Sequence, residues 1–403
     1  MENTKFIGID PDSKKFVMSY IDLQNDKKNQ TKTFFNTSKS VSEFVSWVKE
    51  ESIVVGIEGM NGQSSTLEKE LEKNEIIFYS IPAYRIDKFR QAFIGDNKNN
   101  ENDALATTRF IISLYQKNKL QEFKYKKIEN DELRVLTRNY QKTNKLETIE
   151  INNLWKTLNQ VSSDLYLLLR GEHPDIESNK MLEKVGILNL LGSKSNIYDW
   201  KSMNHDEFFK EMGNRNFKGR EELIKKLMNV SQTLKPISKS IEITIRQGIE
   251  NIKRFKEHKI VIEKEIEEIS KNNFEIQELS KDKGIGVLTA SKIISEIGDI
   301  NRFKNDDNLA SYAGLSVKEN STGDNSKIKK NIHFNRRLKD AFMQAAILTI
   351  MFNKDKHLFS YYKSLLQRGM KKVEAQKRVA RAILRDYFKR LKKLKIDGEN
   401  KSE

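Results

Sequence analysis

The spacing of apolar positions changes once along this chain. Up to about residue 110, short β-branched or aromatic runs alternate with segments of 3.6-residue period. The runs FIGID, KKFVMSYIDL, TKTFFNT, SIVVGIE and EIIFYSIP read as strands. SVSEFVSWVKEE, SSTLEKELEKN and a segment entering DALATTRFI read as the helices between and after them. Beyond residue 110 only helical spacing persists. Leu133, Leu136, Leu146, Leu154, Leu158 and Leu165 recur on one side of a charged background, which predicts a long amphipathic helix or a pair. Residues 171–235 predict shorter helices, and a second long helix follows from about Lys235 to Asn272. Its mixed charges suit a solvated helix or an antiparallel coiled-coil arm, a spacer or dimer element with no chemistry of its own. From residue 275 the pattern reads as helix, tight turn at Gly284-Ile285-Gly286, and helix, ending in the basic helix KKVEAQKRVARAILRDYFKRLKKLK. The pattern predicts an α/β region over 1–118, a helical coiled-coil region over 119–274 and a mostly α-helical region over 275–403.

Three acids stand at matching places in the first region. Asp10 closes FIGID, Glu58 closes SIVVGIEG, and Asp103 opens DALATTRFI. An acid beside a strand is often only a turn or cap residue. Carboxylates at the ends of adjacent strands, met by one from a helix, can instead converge on a hard cation such as Mg²⁺ or Mn²⁺. Two such ions can clamp the attacking and leaving oxygens of a phosphodiester. Asp12 offers a second carboxylate in GIDPD, but its place beyond Pro11 suggests a turn, so Asp10 is preferred. This order of strands, helices and acids is similar to a ribonuclease-H-like (RuvC-type) nuclease core.

Composition narrows the partners. Of 403 residues, 73 are Lys or Arg and 57 are Asp or Glu, a formal net charge of +16 that points to a polyanion. No apolar run approaches a membrane-spanning length, and MENTKFIGID enters a strand directly, without a signal peptide. The absence of cysteine excludes disulfides, zinc–thiolate sites and cysteine nucleophiles. The five histidines lack metal-ligand spacing. A cytoplasmic protein is expected.

Two features of the last region suit phosphate. The Gly284-Ile285-Gly286 turn, with Lys281 and Lys283 before it, resembles a helix–hairpin–helix grip on the duplex backbone, although it is equally a plain helix–helix turn. Lys327, Lys329, Lys330, Arg336, Arg337 and Lys339 follow a Ser-Thr-Gly turn. Six such cations would give strongly salt-dependent binding. A small hydroxyl beside them is also how a phosphoryl-attacking nucleophile would be housed, with the cations stabilising the developing charge.

Together these residues resemble the DEDD transposases of the insertion-sequence-110 family, relatives of the Piv-type DNA invertases. The front of the chain carries GIDPDSKKF and GIEGMNG, and RIDKFRQAFIGDNKNNENDALATT looks like the family segment ending in K-T-D-x-x-D-A. The back carries the G-x-G turn, IGDI-x-RF, AGL, a Ser-Gly loop and N-R-x-L in the family's order. The resemblance implies a RuvC-like domain, a helical spacer and a carboxy-terminal transposase domain with a catalytic serine. It also implies strand exchange between donor and target double-stranded DNA through a transient protein–DNA ester, assisted by metal at the acidic tetrad. A structured guide RNA encoded by the element, and a homodimer or homotetramer, are implied as partners; a membrane is not.

Two positions depart from the family pattern. Asn100 stands where the third acid belongs; its amide oxygen can bind Mg²⁺ without contributing charge. The neighbouring Glu101 would point roughly 100° away on a helix. In the Ser-Gly loop, Thr322 precedes Gly323 and Ser321 lies one earlier; either can be the nucleophile, and Ser321 has the less hindered hydroxyl. A catalytically impaired nucleic-acid-binding relative and a Mg²⁺-dependent RuvC-like nuclease are the alternative functions.

Overall fold

The computed structural model describes residues 4–24, 30–59, 64–125, 130–170, 185–194, 196–213, 220–316, 334–352 and 357–399. The chain divides into two compact units, Met1–Lys127 and Ile128–Glu403.

The first unit is built on five strands: β1 (Lys5–Pro11), β2 (Lys15–Asp22), β3 (Gln30–Phe35), β4 (Val54–Glu58) and β5 (Phe78–Ile81), in the order β3-β2-β1-β4-β5. β1, β2 and β3 pair antiparallel, whereas β4 and β5 run parallel to β1. The helices are α1 (Ser38–Glu50), α2 (Ser65–Lys73), α3 (Ala83–Phe93) and α4 (Asn100–Gln116). Strand side chains alternate between faces, and the two faces of β1 and β4 differ in kind. Ile7, Ile9, Val55 and Ile57 pack with Val41, Phe44 and Val48 of α1 and Leu67 and Leu71 of α2. The opposite parity reads Phe6-Gly8-Asp10 on β1 and Val54-Gly56-Glu58 on β4, facing a core that includes Ile86 of α3 and Ala106 and Ile111 of α4.

Gly8 and Gly56 are register partners in the parallel pair. A Cβ on Gly8 would lie 2.2 Å from the Thr108 amide nitrogen and 2.6 Å from the Ala104 carbonyl oxygen; one on Gly56 would lie 2.7 Å from Ile111 Cγ2. The pair is therefore a trough into which α4 settles against bare backbone. Thr108 locks the contact: its Oγ1 accepts from the Gly8 N–H at 2.9 Å and lies 2.9 Å from the Ser19 and Ala104 carbonyl oxygens. The start of α4 thereby reaches the carboxyl ends of β1 and β4.

The second unit is helical. Its long members, α5 (Asp131–Val161) and α10 (Lys239–Ser270), pack antiparallel, and α5 spans about 46 Å. At one end Leu154, Leu158 and Ile249 join a core with α6 (Ser163–Arg170), α7 (Val185–Ser193), α8 (His205–Glu211) and α9 (Arg220–Ser231). At the other end Leu133, Ile262 and Ile266 join the core of α11 (Phe274–Ser280), α12 (Val287–Ile297), α13 (Asp306–Tyr312), α14 (Arg336–Phe352), α15 (His357–Gln367) and α16 (Lys372–Glu399). Between the two cores the seam is polar, with buried Glu147 paired to Lys259. Leu133, Leu154, Leu158 and Leu165 are buried as their spacing predicts. Leu146 is not: it lies 39 % exposed, because Thr143 and Glu147 take the seam at that level. Among the described residues no helix is long and apolar enough to cross a membrane.

A methyl group at Gly8 must push α4 off the sheet, so Gly8→Ala should cost at least about 1–3 kcal/mol, the usual penalty of overpacking. Gly286→Ala, where a Cβ meets nothing within 4 Å, should change stability by less than about 1 kcal/mol. Denaturant melts of the two variants check the contrast, and equal effects would show that the trough is not needed.

Candidate active site

Asp10 and Glu58 each follow the paired residues Ile9 and Ile57, so they emerge side by side from the ends of two parallel strands. Both share the face that carries α4, by strand parity. Asp103 lies in the first turn of α4 and is 5 % exposed. Asn99 starts this helix by accepting from the Asn102 N–H at 2.7 Å. Asn100 is the first helical residue and is exposed; it lies three positions before Asp103 and so on the same side of the helix. Asp12 sits in the turn after β1, where its Oδ1 accepts from the Ser13 N–H at 2.6 Å.

Burial raises the proton affinity of all three acids, and neighbouring carboxylates add to it at Asp10 and Glu58. Glu58 moves from an ordinary value of 4.5 up to about 8, chiefly through burial and then through repulsion by the Asp10 and Asp103 carboxylates. Asp10 moves from 3.8 up to about 6, through burial and then Asp103. Burial also raises Asp103, against which the Arg90 guanidinium works. Lys98 favours the ionised form of all three.

Arg90 is a member of this site that its sequence context does not single out. It is 2 % exposed, on α3. Its Nη2 donates to Asp87 Oδ1 at 2.7 Å and its Nη1 to the Gly95 carbonyl at 2.9 Å. Its Nε lies 2.8 Å from Asp103 Oδ1, a charge contact rather than an aligned hydrogen bond. Asp87 and Arg90 stand at i and i+3, a spacing that reads as an ordinary solvated helix pair. Nothing local announces that this one is buried.

Among the described residues, no group of three His, Cys, Asp or Glu side chains is arranged to hold a metal ion as it stands. The donor types nevertheless suit a hard divalent cation. Glu58 Oε2 is buried without a hydrogen-bond partner, an acceptor that the protein itself leaves unused.

The expected phosphate-binding residues belong to the second unit. Gly284, with φ +92°, sits beneath the end of α14, where a Cβ would lie 3.1 Å from the Leu348 carbonyl oxygen. Gly286 caps α12 and is exposed, as is Lys283. Lys281 pairs with Glu278 at 2.7 Å. Arg336 and Arg337 are exposed in the first turn of α14, and the Lys339 ammonium lies 4.7 Å from the Phe334 ring centroid. Ser321, Thr322, Lys327, Lys329 and Lys330 lie outside the described residues.

A mixed five-stranded sheet in this order, with acids on adjacent strand ends and at the start of the helix crossing them, defines a ribonuclease-H-like domain; a helical region follows it. Two family models then match the chain. One, described as "Transposase" and specific to the DEDD transposases of IS110, covers residues 7–163; the other, "Transposase IS116/IS110/IS902 family", covers 276–363. The chain belongs to the IS110 family of DEDD transposases and is a DNA transposase, an enzyme of DNA recombination. Two solved structures are similar to part of the chain. Thermus thermophilus RuvC in complex with a Holliday junction substrate has 8 % identity and a TM-score of 0.25, over 30 % of this chain and 99 % of that one. A further Thermus thermophilus RuvC structure has 9 % identity and a TM-score of 0.23, over 30 % and 100 %. No curated protein matches the chain.

The raised acids set a pH dependence. Without metal, the folded chain keeps protons that the unfolded chain has released, so stability falls as pH rises from about 4 through about 6 and about 8. Glu58→Gln removes the upper part of that fall. Its melting temperature should exceed wild type near pH 8 and match it near pH 5, the region below the raised value of about 8. A wild-type melting temperature that is level over this interval would sink the reading.

Proposed function

We propose that this transposase exchanges DNA strands through a serine–DNA ester, with the acidic site holding Mg²⁺ or Mn²⁺. The unpartnered, buried Glu58 oxygen beside two further acids of raised proton affinity is the observation that carries the metal reading. Asp10, Glu58 and Asp103 would be the carboxylate ligands, with Asn100 supplying a neutral oxygen. When bound, the metal would supply Lewis-acid stabilisation of charge on phosphate oxygens. Arg90 and Lys98 balance part of the carboxylate charge until it binds.

The hydroxyl of Ser321, or of Thr322, would attack phosphorus. An oxygen–phosphorus bond forms as one deoxyribose oxygen leaves, and a second DNA end later reverses the exchange. One phosphodiester replaces another, so each step is close to isoenergetic and needs no external energy source. The three sequence regions 1–118, 119–274 and 275–403 would divide the work into acidic site, spacer and dimerisation arm, and serine domain.

Arg336 and Arg337 support the nucleic-acid reading. They stand in the first turn of α14, where cations oppose the helix dipole, so helix stability does not account for them. With Lys281, Lys283, Gly284, Gly286, Lys327, Lys329, Lys330 and Lys339 they would contact DNA phosphates. Family membership further supports a structured guide RNA and a homodimeric or homotetrameric assembly.

Two measurements test this. Nicked suicide DNA should trap a denaturant-stable adduct at Ser321 or Thr322, and Asp10→Ala should abolish strand exchange while DNA binding persists. An adduct that survives the double Ser321→Ala/Thr322→Ala change would end the serine mechanism. Separately, the logarithm of DNA affinity should fall steeply with the logarithm of salt concentration. The slope should shrink by roughly two when Arg336 and Arg337 are both changed to alanine; an unchanged slope would remove them from the interface.

A further inference from the structure

Arginines from separate parts of the helical unit gather around Glu296 on α12, whose side chain is 2 % exposed. Arg138 of α5 forks onto it, Nε donating to Oε1 at 2.7 Å and Nη2 to Oε2 at 2.9 Å. Asn335, directly before α14, donates through Nδ2 to Oε2 at 2.7 Å and caps that helix by accepting from the Leu338 N–H at 3.0 Å. Arg302, from the IGDINRF run, sets its guanidinium 4.5 Å from the Tyr312 ring centroid and donates through Nη2 to the Glu296 carbonyl at 3.4 Å. Asn335 Nδ2 also reaches the Tyr312 hydroxyl at 3.1 Å. The IGDI-x-RF and N-R-x-L runs therefore meet at one carboxylate.

Arg134 is the member that this arrangement does not need. It lies one turn before Arg138 on the same side of α5 and is half-buried. Among the described residues its side chain has neither a hydrogen bond nor an ion pair, and the exposed Asp131, three positions earlier, acts on it only through space. An arginine withdrawn from water is ordinarily paired. Burial, and then the Arg138 charge, make the ionised form of Arg134 costlier than that of an ordinary arginine. Like charges at this spacing weaken a helix, and a cation near the amino end opposes the helix dipole. Folding gains nothing from this charge. Nor is Glu296 free to compensate it, since its two oxygens already accept from Arg138 and Asn335. Within the cluster one carboxylate meets three guanidinium groups, and positive charge is in excess where Arg302, Arg336 and Arg337 are exposed.

We propose that Arg134 and Arg302 bind backbone phosphates of duplex DNA, extending the surface begun by Arg336 and Arg337 across to α5. The planar fork of an arginine matches two phosphate oxygens, and the phosphate supplies the partner that the protein withholds from Arg134. Glu296 then serves as the local counter-charge that lets the arginines share one place before DNA arrives. The inference rests on the reading of Arg336 and Arg337 as phosphate contacts.

The test titrates the full-length chain with a duplex DNA oligonucleotide and, separately, with an RNA hairpin, over roughly 50–200 mM salt. Arg134→Ala and Arg302→Ala should each reduce the slope of log DNA affinity against log salt by roughly one and weaken binding roughly threefold at fixed salt. Arg134→Lys keeps the charge and loses the fork, so the slope should hold while affinity falls. Arg134→Ala should melt at or above the wild-type temperature, because no partner is lost. Arg254, exposed on α10 with its Nη2 3.0 Å from Asn251 Oδ1, is the control: Arg254→Ala should leave the slope unchanged. If Arg302→Ala does not fold, the two Arg134 variants carry the test. A lower melting temperature with an unchanged slope would show that Arg134 is paired inside the protein and would overturn the proposal. So would a loss confined to the RNA hairpin, or an equal loss in Arg254→Ala. Should the double Arg336→Ala/Arg337→Ala change reduce the slope while Arg134→Ala and Arg302→Ala do not, this inference fails and the reading beneath it stands. A flat salt response of the wild-type chain would end both.

Discussion

The contact of α4 with bare backbone at Gly8 and Gly56 is the constraint on which the acidic site depends. Helices normally stand off a sheet by the length of two side chains, which would hold Asp103 away from the strand ends. Two glycines in register remove the strand's share of that distance, and Thr108 replaces it with hydrogen bonds at 2.9 Å. The same face supplies Asp10 and Glu58 two residues further along each strand. One parity therefore encodes both the close approach and the chemistry.

Bringing the acids together has an electrostatic consequence. Burial raises the proton affinity of all three; Asp103 adds repulsion at Asp10, and Asp10 and Asp103 together add it at Glu58, which moves up to about 8. Arg90 restrains this. Buried between Asp87 and Asp103, it draws α3 and the Gly95 turn onto the start of α4. Removing one member of such a pair typically costs about 3–5 kcal/mol, because the other charge stays buried. Arg90 thus serves the fold and the site through the same contacts.

The helical unit places its polar groups sparingly and at junctions. Between its two apolar cores the α5–α10 seam is held by Glu147 and Lys259. α12, buried along Thr289–Ile297, spends its polar residues on neighbours. Ser291 lies 3.0 Å from the Ser270 hydroxyl, Ser295 lies 3.0 Å from that of Thr137, and Glu296 takes the Arg138 fork. Satisfied polar pairs of this kind fix helix register where apolar packing alone tolerates sliding.

The sequence by itself determined the local structure and the chemistry on offer. Period-two and 3.6-residue patterns placed the strands, α4 and the long helices, since each pattern reports which face of its own element is buried. Asp10, Glu58 and Asp103 stood out because each closes a strand or opens a helix. Only the tertiary structure decided what those elements meet. Leu146 obeys its helix's apolar spacing in the sequence and still faces solvent, because the partner helix presents Lys259 at that level. Arg90 and Glu296 resemble any charge on an amphipathic helix. Their burial, and the partners they steady, come from elements distant in sequence: 13 positions separate Arg90 from Asp103, and 158 separate Arg138 from Glu296. Local patterns carry no information about such contacts, because the free energy that selects them is gained only when the elements pack.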